Sequence, residues 1–99
     1  MRLTERERDA ILACARRHFG AGSRVLLFRS RVDDERRGGD IDLHVVAETP
    51  AQATLTSELR FRADLADLIG EERVDVLVRE PGYAPRPIDL IALRTGRPL

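Results

Sequence analysis

The sequence predicts a small α/β (α+β) domain in which a three-stranded mixed sheet is covered by helices in the order α-β-β-α-β-α. Two stretches carry apolar residues at helical spacing, three short stretches are rich in β-branched and aliphatic residues, and glycine and proline fall between them. Ninety-nine residues suffice for one core, so the domain is expected to span residues 1–99.

Thr4 and Glu7 have capping-box spacing, which starts a helix over about residues 4–19. Ile11, Leu12, Ala15 and Phe19 share one face of it, and Gly20 and Gly22 offer a stop. Residues 24–30 are a short apolar run with polar flanks, a buried strand. The polar stretch 31–39 ends in two glycines and is a loop. Residues 41–47 form a second strand, with Ile41, Leu43 and Val45 on one face and Asp42, His44 and Val46 on the other. Pro50 ends it. From 53 to 69, Leu55, Leu59, Phe61, Leu65, Leu68 and Ile69 predict a wide apolar helix face, closed by Gly70. Val74, Val76 and Val78 alternate through a third strand at 73–79. Three prolines in residues 81–87 exclude regular structure there, and a last short helix runs over about 88–94, before Gly96.

Composition removes several functions. Seventeen basic residues balance seventeen acidic ones, so no net field draws the chain to nucleic acid or an anionic membrane. All the basic residues are arginine, which excludes a Walker lysine, a Schiff-base lysine and a Ser–Lys nucleophile. A single cysteine, Cys14, excludes an intrachain disulfide and a cysteine zinc cage, and reads as a small buried helix residue. There is no apolar run of the roughly 20 residues that a membrane span needs, and the charged start at residues 1–9 lacks a signal-peptide core. A cytoplasmic protein is expected.

The 31–39 loop suits an antiparallel pairing of the first two strands, and the long helix suits a parallel, right-handed crossover from the second to the third. The end of strand one and the starts of strands two and three then share one edge of the sheet. Asp40, Asp42 and Asp75 fall there. Asp40 and Asp42 are two apart on an extended chain, roughly 6–7 Å, and point the same way. Asp75 lies off the valine face. Converging carboxylates repel, and a hard divalent cation relieves that repulsion. Nine aspartates in 99 residues give about 0.8 Asp-x-Asp pairs by chance, so spacing alone leaves a solvated strand edge open beside a cation site.

The wider context, L-F-R-S-R-V-D-D-E-R-R-G-G-D-I-D-L-H-V followed later by R-V-D-V-L-V, resembles the polymerase-beta-like nucleotidyltransferases, in particular the minimal nucleotidyltransferases. Along nearly the whole chain the element order is similar to that family's fold. The resemblance implies transfer of AMP from Mg²⁺-bound ATP, with two ions, to a hydroxyl. It implies that Asp40 and Asp42 bridge the metals and that Asp75 is the third ligand or the base. It assigns Ser30 and the loop amides after it, Arg31 and Gly39 among them, to the phosphate-holding turn. It implies a small helical HEPN-domain toxin as partner, modified on a tyrosine and neutralised by this chain as antitoxin, in a heteromer or with this chain as a homodimer. No direct nucleic-acid binding is expected. The family's Gly-Ser is Arg29-Ser30 here. Arg29 is placed to fill the phosphate site, which gives the alternative of an impaired antitoxin or binding subunit acting by complex formation, or to point aside and leave an active enzyme.

The other polar residues read more simply. His44 is expected to be a packed, hydrogen-bonded strand histidine, and His18 to complement the helix dipole. Arg36 and Arg37 read as solvated loop cations, with a contact to phosphate or a partner as the alternative. Tyr83 either lids the sheet or meets a partner.

Overall fold

The structure, a computed structural model, describes residues 3–28, 41–70 and 74–99. Helix α1 runs Glu5–Phe19. The Thr4 hydroxyl accepts from the Glu7 amide at 3.0 Å while the Glu7 carboxylate accepts from the Thr4 amide at 2.9 Å, so two orphan donors of the first turn are satisfied reciprocally. The helix ends at Gly20, whose φ of 99° is open to glycine and strained for other residues. Glu48 packs against this turn and accepts from the Gly22 amide at 2.9 Å, which fixes the entry into the sheet.

Strand β1 is Arg24–Phe28, β2 is Ile41–Val46 and β3 is Val74–Arg79. A 3₁₀ turn, Pro50–Gln52, follows β2 and leads into α2, Leu55–Ile69, which is capped by the Thr54 hydroxyl on the Ser57 amide. Helix α3, Pro87–Thr95, starts on a proline, whose missing N–H costs nothing at that position. β1 and β2 pair antiparallel and β2 and β3 pair parallel, as the loop lengths predict.

Two features differ from the expectation. Among the described residues the sheet has four strands, in the order β3-β2-β1-β4, because Arg97–Pro98 forms β4, antiparallel to β1. Two residues, one of them without an N–H, carry no alternation for a sequence pattern to register. They are delivered to β1 by the end of α3, where Gly96 passes so close that an added Cβ would stand 2.4 Å from the Ala92 carbonyl oxygen. The second difference lies in α2. Of its wide apolar face only Phe61 and Leu65 are buried, while Leu55 is 68% exposed, Leu59 55% and Leu68 48%. Periodicity reports the width of an apolar face but not the width of its neighbour, and α2 packs against α1 with Phe61 and Leu65 turned to the core.

The core lies on one side of the sheet. Ile11, Phe19, Val25, Leu43, Val45, Phe61, Leu65 and Val76 close it, with the Phe19 and Phe61 rings 5.2 Å apart. Cys14 is buried among them, as expected, and burial pushes its thiol above the ordinary range. On the other side, Leu26, Phe28, Asp42, His44, Asp75, Leu77 and Arg79 share the second face by strand alternation, with α3 packed across β1. Among the described residues no helix is long and apolar enough to cross a membrane.

Candidate functional site

Strand pairing brings two of the three predicted aspartates together. Asp42 stands directly opposite Asp75 on the neighbouring parallel strand, so their side chains leave the same face, one strand spacing apart, about 4.8 Å between backbones. Phe28, the last residue of β1, stands opposite Asp42 from the other side. The strand starts and the end of β1 therefore do share one edge. Asp75 is exposed and Asp42 half-buried. Asp40, Ser30, Arg31 and Gly39, together with Arg29, Arg36 and Arg37, lie outside the described residues. Two carboxylates on adjacent strands suit Mg²⁺, which takes oxygen ligands and keeps several waters. Among the described residues no group of three or more His, Cys, Asp or Glu is arranged around a single ion.

One two-residue step along β2, on the same face, lies a second polar cluster. His44 is 1% exposed and Asp89 is fully buried. The His44 Nε2–H donates to Asp89 Oδ1 at 2.9 Å, and Arg79 Nε–H donates to the same oxygen at 2.9 Å. The other oxygen, Oδ2, accepts from the Arg86 backbone amide at 2.8 Å, a reach-back from the third helical residue to the residue before Pro87. Burial pushes the Asp89 carboxyl up. The hydrogen bonds from the Arg86 amide, Arg79 and His44 outweigh it and hold the group below its ordinary range. Asp89 is thus a carboxylate, and its bond to His44 assigns the proton to Nε2. In the neutral ring His44 Nδ1 is then an acceptor, and it is buried with no hydrogen-bond partner among the described residues.

Aromatic rings flank this imidazole. The Phe28 ring stands edge-on at 6.5 Å, and the Tyr83 ring is tilted at 5.8 Å. Tyr83 therefore lids the sheet, the first of its two sequence readings. Burial, and next the Asp89 charge, raise its phenol above the ordinary range. His44 is the hydrogen-bonded strand histidine that its position suggests. Its partner Asp89, and through it Arg79, was invisible to spacing, since Asp89 lies 45 positions away in a helix.

His18 takes a structural place. Its Nε2–H donates to Asp64 Oδ2 at 2.6 Å, and Arg17 Nη1 donates to the same oxygen at 3.1 Å, tying α1 to α2. The bond from His18, followed by that from Arg17, holds the Asp64 carboxyl below its ordinary range. Comparison with known proteins finds no matching family model, no matching curated protein and no matching solved structure.

Proposed function

We propose that this chain is a nucleotidyltransferase of the minimal type, which transfers AMP from ATP to the hydroxyl of a tyrosine on a helical HEPN-type toxin partner in the cytoplasm and acts there as antitoxin. The observation that carries the reading is the register of Asp42 with Asp75, two carboxylates on one face at the starts of parallel strands. The resemblance of the surrounding sequence supplies the rest, including Asp40, Ser30, Arg31 and Gly39. When bound, Mg²⁺ would neutralise the triphosphate at this edge, with the two carboxylates as its protein ligands. The domain is small and its described helices leave five leucines exposed, so a second protein is expected to supply the surface that holds the acceptor.

Thermal unfolding with and without Mg²⁺ and ATP tests the reading. The wild type is expected to gain stability with both ligands present, by mass action, while Asp42→Asn and Asp75→Asn lose that gain. Equal shifts in all three proteins would leave these aspartates as a solvated strand edge. Arg29, in the place of the family's glycine, favours the second reading of a binding subunit with a perturbed nucleotide site. Arg29→Gly would then raise ATP affinity in calorimetry, and an unchanged affinity returns the chain to the active-enzyme reading.

A further inference from the structure

The second polar cluster holds an acceptor that the fold itself does not use. Asp89 consumes one ring nitrogen of His44 and is in turn held by Arg79 and the Arg86 amide. Nδ1 is left buried and unpartnered among the described residues, and an orphaned polar atom in an interior is destabilising, whereas an aliphatic side chain at this strand position would carry no such cost. Asp89, itself bonded to Arg79, the last residue of β3, holds Nε2, and Nδ1 is the ring nitrogen left over on the face that also carries Asp42 and Asp75.

We propose that His44 is a specificity-determining residue of the nucleotide site, its Nδ1 accepting a hydrogen bond from a sugar hydroxyl of the nucleotide whose phosphates lie over Asp42 and Asp75. The proposal rests on the nucleotide reading above and adds the part of the ligand that reading leaves unassigned. His44 stands one two-residue repeat, roughly 6.5–7 Å, from Asp42 on the same face. That separation is a suitable step from a phosphate to the hydroxyl edge of its sugar, and His44 already commits Nε2 to Asp89. The flanking rings of Phe28 and Tyr83 offer flat apolar walls for a sugar face. Access requires the Tyr83 ring to move. It sits on a turn outside helix and strand, beside Gly82 at φ 81°, closed by the Tyr83 amide on the Glu80 carbonyl at 3.3 Å.

The test uses the full chain, Mg²⁺ and a non-hydrolysable ATP analogue, compared with its 2′-deoxy, 3′-deoxy and dideoxy forms. Nitrogen-15 spectra of the histidine ring should show the His44 Nδ1 resonance moving when the ribose form is added and staying in place with the dideoxy form. The two singly deoxygenated forms tell which hydroxyl is responsible. In calorimetry the ribose form should bind about three- to tenfold more tightly than the dideoxy form, as for one neutral hydrogen bond. His44→Phe, which keeps the ring and leaves Asp89 paired with Arg79 and the Arg86 amide, should bring that ratio to one. A wild-type ratio of one, with backbone signals at Asp42 and Asp75 moving and the Nδ1 signal fixed, would overturn the proposal and leave the nucleotide reading standing. Absence of any binding by the ribose form would overturn both.

Discussion

At the residue scale, the buried carboxylate of Asp89 holds the second face of the sheet together. It accepts two charge-assisted bonds on one oxygen and a backbone bond on the other, in a place where no solvent can substitute. Asp89→Ala removes all three at once and strands the Arg79 guanidinium, so a loss of about 3–5 kcal/mol is expected in urea denaturation. Asp89→Asn keeps the shape and one acceptor and should cost less. Asp64 provides the contrast at the surface. Its folded carboxyl titrates below the ordinary 3.8, held there first by His18 and then by Arg17. A carboxyl depressed on folding contributes stability that is fully present above its unfolded value and is lost as pH falls through the folded one. Asp64→Asn should therefore lower the melting temperature near neutrality and close the gap to wild type as the solution is taken below pH 3.8. Solvent screens this pair, so the difference is expected to be small.

At the element scale, the turn from α1 into β1 is the tightest constraint on the chain's path. Gly20 has positive φ, and a Cβ there would meet both the Glu48 side chain and Gln52 Oε1 at 2.6–2.8 Å. Gly20→Ala then pays in backbone strain and displaces the Glu48 carboxylate from the Gly22 amide. A loss of about 2–4 kcal/mol is expected by chemical denaturation, against about 1–2 kcal/mol for Gly70→Ser, where no atom stands within 4 Å of an added Cβ and backbone strain alone, at a φ of 87°, opposes it. Such turns were legible in the sequence, because a glycine after an apolar helical stripe has a local physical cause. So were α1 with its capping box, the alternation of β2 and β3, and from that alternation the shared face of Asp42 and Asp75. What was not legible depends on distant surfaces. β4 exists because α3 delivers two residues to the free edge of β1, and Leu55 and Leu59 stay exposed because α2 turns Phe61 and Leu65 to the core instead. The His44–Asp89 bond joins a strand to a helix across 45 positions, and neither residue's neighbours announce the other.

At the scale of the whole molecule, one sheet separates two unlike layers. The α1–α2 side is closed by aromatic and aliphatic packing, and the α3 side by an ionic cluster beneath a single tyrosine. β2 lies between β1 and β3 and faces both layers, with Leu43 and Val45 turned to one and His44 to the other. Because the same strand anchors both, the layers should unfold together, as small single domains usually do. The chain has one tyrosine and no tryptophan, so tyrosine fluorescence reports on the α3 side alone, while far-ultraviolet circular dichroism is dominated by the helices. In urea the two signals should trace one coincident transition. Asp89→Ala cuts the bonds from α3 to β2 and β3 but leaves the Phe19–Phe61 side packed, so the fluorescence transition should move to lower urea than the dichroism transition. Phe61→Ala should instead shift both together, by about 3–5 kcal/mol, since it opens the core on which β2 itself rests. Separate transitions in the wild type would mean that the α3 layer is a loosely attached cover and that the ionic cluster does not couple it to the sheet.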